Sequence, residues 1–310
     1  MNDTLTIGAR GSALSLAQSH WIRAVIHNAY PRLNIDLRVI KTSGDKLKTA
    51  SLARSGTKGL FTRELEQSLL LGKIDAAVHS LKDLPIDLPA GLELGAVAER
   101  EDPRDVLITH PSAPTTAPAR IFTSSPRRIL QARLLWPDCQ TKEIRGNIET
   151  RLRKLAGGKP GDALLLAAAG LLRLQLIKNK QEDGLIDWEI PLAYRMLPIS
   201  QMLPAPGQAA IGLEIRAADG VTREKLRCVN HPATWAAVMA ERTFLHAMGG
   251  GCASPVGAIA SIIPHDRLRL QAVVFDSKNA PWRGEITGGK KDPAALGASL
   301  ASQWMAGQVC

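Results

Sequence analysis

The sequence predicts an α/β fold in three domains: two α/β lobes built on parallel sheets, and a small α+β domain at the C-terminal end. Three observations carry this. Short apolar runs alternate with amphipathic helical stretches as far as residue 216. The joints between them are strand–turn–helix units with Gly, Ser or Asn at the turn. Two proline-containing stretches, Glu99–Asp105 and Pro198–Pro206, interrupt the alternation, so the chain is expected to cross twice between lobes, the arrangement of a hinged cleft. The 310 residues suffice for two or three cores. The expected division is residues 1–100 with 205–228, residues 101–204, and residues 229–310.

In the first lobe, Thr4–Gly8 reads as a buried strand and Ala13–Asn28 as a helix bearing Leu14, Ala17, Trp21 and Val25. The turn between them, Ala9-Arg10-Gly11-Ser12, joins free N–H groups to the positive end of a helix dipole, which favours an anion. Arg10 is either a solvated loop arginine or a fork for a carboxylate. Asn34–Lys41 alternates as a strand. Ser43–Gly59, polar and carrying Lys46, Lys48, Arg54 and Lys58, reads as a mobile loop or lid. Leu60–Leu71 has helical spacing through Phe61, Leu65 and Leu69. Ile74–His79 is a strand that delivers Ser80-Leu81-Lys82-Asp83 at its carboxyl end, where open α/β sheets bind ligands. Lys82 and Asp83 are either a surface ion pair or a catalytic carboxylate steadied by a cation. Leu92–Ala98 is the next strand.

In the second lobe, Val106–Thr109 and Arg120–Thr123 read as strands, Ser125 as an N-cap and Pro126 as the first helical residue. Arg127 and Arg128 then fall in the first helical turn, where positive charge opposes the dipole unless an anion sits there. Thr141–Ile144 leads into Arg145-Gly146-Asn147 and a helix through Arg151, Leu152 and Leu155. Ala163–Ala167 leads into a helix carrying Arg173, so basic groups line one sheet edge. Gln181–Tyr194 reads as irregular, and Ala210–Arg216 as a strand returning to the first lobe.

Near the C-terminal end, the predicted helix His231–Ala247 precedes Gly249-Gly250-Gly251-Cys252-Ala253-Ser254-Pro255-Val256-Gly257. Cys252 is either a small buried hydrophobe in a tight turn or a thiol presented with clearance around it. Val256–Ile263 and Arg267–Phe275 read as strands and Pro293–Met305 as a helix.

Net charge is +10, from 39 basic and 29 acidic residues, a balance that first suggests nucleic acid. Aromatics are only 4%, however, and the arginines sit singly or in pairs at element ends. That distribution suits a polyanionic small molecule better than a duplex. No apolar run reaches the ~18 residues of a membrane span. Met1–Ile7 lacks the basic and apolar regions of a secretory signal, so a cytoplasmic protein is expected. Cys139, Cys228, Cys252 and Cys310 form no C-x-x-C pair, so neither a metal site nor a disulfide framework is expected.

Together these motifs resemble the porphobilinogen deaminases, also called hydroxymethylbilane synthases. The matching stretches are Ile7–Gln18, Lys41–Asp45, Lys58–Phe61, Val78–Pro85, Glu99–Asp105, Thr123–Arg128, Arg145–Arg151, Leu203–Gly212 and Gly250–Gly257, in the family's order. The resemblance implies two periplasmic-binding-protein-like (type II) lobes around a cleft and a third domain carrying the cofactor cysteine. It implies a monomer with one dipyrromethane cofactor, joined by a thioether to Cys252. The implied reaction joins four porphobilinogen molecules head to tail into the linear tetrapyrrole hydroxymethylbilane, releasing ammonia each time. Asp83 matches the catalytic carboxylate that handles the proton of ammonia loss and stabilises the resulting cation. Ser80, Lys82, Asp83, Thr123, Ser124, Ser125, Arg127, Arg128, Arg145, Gly146 and Asn147 match cofactor-binding positions. Arg10, Ser12, Lys58, Phe61, Arg145, Arg151 and Arg173 match positions expected to hold the substrate. No metal is implied.

Some positions depart from the family pattern. Thr6 stands where many relatives carry arginine, Arg54 where they carry lysine, and Gly249 where glutamate is frequent. Phe122 and Pro126 stand for a glycine and a leucine. The change at Thr6 is expected to weaken a carboxylate contact, and Gly249 to loosen the Cys252 loop. A non-catalytic two-lobed anion-binding protein is the alternative, and it leaves Cys252 without a purpose.

Overall fold

The computed structural model describes residues 4–43, 61–111, 117–159, 161–178, 180–251, 254–276, 278 and 280–307. Lys58, Cys252 and nearly all of the expected Ser43–Gly59 loop lie outside the described residues. The chain forms two compact units, Met1–Arg100 with Ala210–Trp235, and Glu101–Ala209 with Ala236–Cys310.

The first unit is a five-stranded sheet of β1 (Thr4–Arg10), β2 (Asn34–Ile40), β3 (Ala76–Ser80), β4 (Leu92–Val97) and β11 (Ile211–Arg216), in the order β2-β1-β3-β11-β4. Helices α1 (Ala13–Ala29) and α2 (Arg63–Leu70) cover it. On one face Leu5, Ile7, Ala76, Val78, Leu213 and Ile215 pack with Ile22 and Ile26 of α1. On the other, Ala77 and Leu92 pack with Leu65 and Leu69 of α2. Burial on both faces explains why β3 and β11 read as continuous apolar runs. Strand β1 is parallel to β2 and β3, so their carboxyl ends share one edge. Strand β11 runs antiparallel to β3 and β4.

The second unit repeats the plan with β5 (Asp105–Thr109), β6 (Arg120–Phe122), α3 (Pro126–Leu135), β7 (Gln140–Lys142), α4 (Ile148–Ala156), β8 (Asp162–Ala167), α5 (Ala168–Arg173), β9 (Asp183–Ile186) and β10 (Leu192–Leu197). Its sheet order is β7-β6-β8-β5-β10-β9. Strand β6 is parallel to β7 and β8, whereas β5 is antiparallel to β8 and β10. In each lobe, therefore, three parallel strands adjoin one antiparallel strand that enters directly after a crossing. This is the type II binding-protein build. The sheets are mixed, not purely parallel as expected, because that strand runs against the others. The stretch expected to be irregular, Gln181–Tyr194, holds β9 and the start of β10. Three of the four β9 residues are exposed, so the strand carries no apolar periodicity.

Helices α6 (Gly220–Lys225) and α7 (Pro232–Ala247) lead to an antiparallel sheet of β12 (Val256–Ile263), β13 (Arg267–Phe275) and β14 (Pro281–Gly289), backed by α8 (Pro293–Ala306). Strand β14 has no clear sequence signal: Pro281 and three glycines dilute it, and it pairs along the whole of β13. Leu203 packs with Ile259, Val273 and Phe275 of this sheet.

Helix α7 ends in a glycine cap. Gly249 has φ +64, its N–H donates to the His246 carbonyl at 2.8 Å, and the Gly250 N–H reaches the Leu245 carbonyl at 3.0 Å. This is the Schellman pattern, in which a left-handed residue satisfies the last helical carbonyls. Gly249 thus closes the helix, and Cys252, the loop residue it was expected to affect, lies outside the described residues. Gly249→Ala is expected to cost about 1 kcal/mol, read as a lower thermal midpoint. Gly251→Ala, where a Cβ meets nothing within 4 Å, should leave the midpoint nearly unchanged.

Candidate active site

In the first unit, the ends of β1 and β3 bring Arg10–Ser12 and Ser80–Asp83 to the shared edge, and Gln18 Nε2 of α1 donates to Ser80 Oγ at 3.0 Å. The Arg10 guanidinium carbon lies 4.2 Å from the Phe61 ring centroid, a cation–π contact that orients the fork. Ser12 Oγ caps α1 by accepting from the Ser15 N–H. Asp83 is exposed, yet it sits in the 3₁₀ turn Leu81–Asp83 between buried Leu81 and Leu84. The Leu81 N–H donates to the Ala210 carbonyl at 3.0 Å, which pins that turn. Lys82 beside it is half-buried. The carboxylate is therefore presented to solvent on a stiff support. Thr6 lies four residues before Arg10, about 13 Å back along the strand.

Beneath the turn, His79 Nε2 stands 3.1 Å from Glu214 Oε2, both residues buried. Burial raises the Glu66 carboxyl above its ordinary value, with Glu214 and Glu64 adding to the effect and the Thr62 hydrogen bond and His79 opposing it. Sequence reasoning missed this group. The available signal was a polar, titratable residue inside each of two otherwise apolar strands, His79 in β3 and Glu214 in β11.

In the second unit, the turns after β6, β7 and β8 share an edge. Ser124 Oγ donates to the Ile144 carbonyl at 2.6 Å, which ties the first two turns together. Thr123 is buried and its hydroxyl accepts from the Ser125 N–H; Ser125 in turn caps α3. Asn147 caps α4 through the Thr150 N–H at 2.9 Å. Gly146 has φ +115, which favours glycine. Arg145 Nε and Nη2 both meet Glu143 Oε1, at 2.9 and 2.5 Å. Arg151 Nε donates to the Gly146 carbonyl at 2.8 Å. Arg173 Nη2 donates to the Ala209 carbonyl at 2.6 Å, and burial pushes its guanidinium down to about 10 against the pull of Glu101.

Arg127 and Arg128 resolve the charge conflict at the start of α3 internally. Arg127 Nη1 bonds Asp105 Oδ2 at 2.7 Å, and Arg128 Nη2 bonds Asp105 Oδ1 at 2.8 Å, with all three residues buried. The anion expected there is supplied by the chain itself. Burial alone would raise the Asp105 carboxyl, but the charges and hydrogen bonds of the two arginines hold it far below the usual carboxylate range.

The residues on either side of Cys252 are tied together: the Gly251 N–H donates to Ser254 Oγ at 2.8 Å, and the Ser254 N–H to the Gly251 carbonyl at 2.9 Å. Among the described residues no helix is long and apolar enough to cross a membrane.

Two family models match. Residues 5–224 match the porphobilinogen deaminase, dipyrromethane cofactor binding domain, and residues 235–306 match the porphobilinogen deaminase C-terminal domain. The chain belongs to the porphobilinogen deaminase family. Among curated relatives, the porphobilinogen deaminase of Desulforudis audaxviator is 44% identical over 305 residues, covering 97% of this chain and 94% of that protein. The deaminases of Synechococcus elongatus and Moorella thermoacetica are 41% and 42% identical, covering 96% and 97% of this chain and 91% and 93% of theirs. The chain is thus a hydroxymethylbilane synthase, an enzyme of tetrapyrrole synthesis that polymerises porphobilinogen with a dipyrromethane cofactor.

The second unit's edge fits such a group. Its hydroxyls and arginines suit carboxylates, and Arg127 Nε is buried with no hydrogen-bond partner among the described residues. Asp105→Asn leaves two buried guanidinium groups without their charge partner, a loss expected to cost about 3–5 kcal/mol. Because the native carboxyl is depressed, its contribution is present above about pH 4 and lost as pH falls. Thermal denaturation should therefore show a wide gap between wild type and Asp105→Asn at pH 7 that narrows progressively below pH 4.

Proposed function

We propose that Asp83 is the acid–base residue of the condensation and that Cys252 attaches the dipyrromethane. The observation that carries the first assignment is an exposed carboxylate on a stiff turn at the carboxyl edge, with Lys82 adjacent and Arg10 at the end of the neighbouring strand. Asp83 Oδ gives a proton to the aminomethyl nitrogen of porphobilinogen, so that ammonia leaves. The carboxylate then faces the positive charge left on the substrate and takes back the proton displaced by the new carbon–carbon bond. A positioned acid of this kind contributes about 10²–10⁴-fold. Bound dipyrromethane supplies the nucleophilic α-carbon from which the chain grows.

Each porphobilinogen carries an acetate and a propionate. Arg10, Ser12, Lys58, Phe61, Arg145, Arg151 and Arg173 hold the substrate in this reading. Ser80, Lys82, Asp83, Thr123, Ser124, Ser125, Arg127, Arg128, Arg145, Gly146 and Asn147 hold the cofactor. What supports it is found within each unit separately: the turns after β1 and β3 in the first, and those after β6, β7 and β8 in the second, lie at the carboxyl ends of parallel strands, where ligands of open α/β sheets bind. The net charge of +10 favours encounter with an acidic substrate. We assign residues 1–100 with 205–228, 101–204 and 229–310 as the three domains, the last carrying Cys252, of a cytoplasmic monomer that acts on small molecules and not on nucleic acid.

Intact-mass analysis of enzyme made in cells should show the increment of two pyrrole units, on the peptide containing Cys252. Cys252→Ser should lack it, and a retained adduct would move the attachment elsewhere. Asp83→Asn should keep the adduct but lose turnover by about a hundredfold or more, within the range for general acids. Ordinary turnover in that variant would remove Asp83 from its role.

A further inference from the structure

The group beneath the Asp83 turn has no part in the proposed chemistry. His79 and Ala77 alternate onto the α2 face of β3, and the register sets Glu214 beside Ala77 and Gly212 beside His79. Helix α2 packs against β3 and β11 and lays Glu66 over this face. Glu214 from β11 meets His79, and Glu66 of α2 is within electrostatic reach of His79, Glu214 and Glu64. Arg10 shares the face of Gly8, which pairs with Ala77. Strand β4 contributes the apolar Leu92, and α1 lies on the opposite face.

A buried carboxylate needs a donor, because desolvation is costly without one. Glu214 Oε2 has one in His79 Nε2 at 3.1 Å, while Glu214 Oε1 has no hydrogen-bond partner among the described residues. With Glu214 as the acceptor, this contact requires the hydrogen of His79 on Nε2. One residue after His79, β3 ends at Ser80 and the Leu81–Asp83 turn begins. The main chain is constrained at the same point, since a Cβ at Gly212 would meet Leu81 Cδ1 at 2.8 Å.

We infer that Glu214 and His79, covered by Glu66, are positioning residues for Asp83. Their contact pins the carboxyl end of β3 against β11, so that the turn leaves the sheet in one direction. This rests on the assignment of Asp83 as the acid–base residue.

Glu214→Gln keeps the size of the side chain and removes its charge. In the holoenzyme it is expected to lower kcat at least tenfold with KM changed less than threefold. The two-pyrrole adduct should remain, and the pH profile of kcat should be displaced. A purely structural role would lower the thermal midpoint and leave kcat per folded molecule and the pH profile as in wild type; that result overturns the inference. Nitrogen NMR of the His79 ring is independent of turnover. A neutral Nε2–H tautomer in the wild-type holoenzyme supports the inference, and an Nδ1–H tautomer overturns it, even where Glu214→Gln does not fold.

Glu66→Gln gives a further readout. A carboxyl raised in the native state loses stability as pH rises above its ordinary value of 4.5, because the unfolded chain releases that proton first. Glu66→Gln should therefore raise the thermal midpoint at pH 8 and have little effect below about pH 4. A lower midpoint at pH 8 removes Glu66 from the inferred group, while Glu214 and His79 stand or fall on the kcat and tautomer readouts. Asp83→Asn separates the two claims. If it is inactive while folded Glu214→Gln behaves as wild type, only the positioning role falls. If Asp83→Asn turns over normally, the assignment of Asp83 falls, and the positioning role with it.

Discussion

The second unit depends on one buried carboxylate. Asp105 opens β5 directly after the first crossing, where it meets Arg127 and Arg128 from α3 and accepts from Gln208 Nε2 at 2.9 Å. Two guanidinium groups in a core are costly without a counter-charge, and Asp105 serves both. The same hydrogen bonds reach further. Arg127 Nη1 and Gln131 Nε2 both donate to the Leu203 carbonyl, and Leu203 packs against the C-terminal sheet. One carboxylate thus fixes the start of a strand, the start of a helix and the path of the returning chain. Glu241 of α7 does similar work nearby, accepting the N–H groups of Gly207 and Ala260 at 2.7 Å each. Between these two anchors Ala209 takes φ +70, a left-handed conformation unfavourable for alanine. Its carbonyl is held by Arg173 and by the Glu101 N–H.

The turns that carry the candidate site were legible because their signals are local. Ser12, Ser125 and Asn147 each cap the helix that follows them, and each cap is readable from a few adjacent residues. The partners of the arginines were not legible. Positive charge in the first turn of α3 correctly pointed to an anion, but Asp105 lies 22 residues earlier in the chain, and no local pattern joins them. His79 and Glu214 are separated by 135 residues. Their trace in the sequence was indirect: a histidine and a glutamate inside runs otherwise suited to burial on both faces. Strand β14 escaped for the opposite reason, since its place is set by pairing with β13 and not by its own composition.

Carboxylates in this chain divide by environment. Asp105, Glu214 and Glu241 are buried, and each accepts at least one hydrogen bond or meets a ring nitrogen. Of these, Asp105 is held far below the usual carboxylate range by Arg127 and Arg128 and serves as a fixed charge. Asp83 is the reverse, exposed at the end of a turn whose neighbours Leu81 and Leu84 are buried. Proton transfer calls for access and a fixed direction together. A stiff turn whose side chain points outward supplies both, which neither a core residue nor a free loop would do.

The arginines at the second unit's edge follow a further rule: each already has an internal acceptor. Arg145 holds Glu143, Arg151 the Gly146 carbonyl, Arg173 the Ala209 carbonyl, and Arg127 and Arg128 hold Asp105. In the proposed reading, a substrate carboxylate that arrives here uses the remaining N–H groups or exchanges with these acceptors, and the net gain from each contact is therefore modest. Fully unpaired arginines would bind each new acetate and propionate tightly and retain it. An enzyme that lengthens a polyanion by two carboxylates per addition must let each unit move on after it has reacted. In that reading, prepaired arginines lower the barrier to movement, because a departing carboxylate leaves a guanidinium group with a partner at hand.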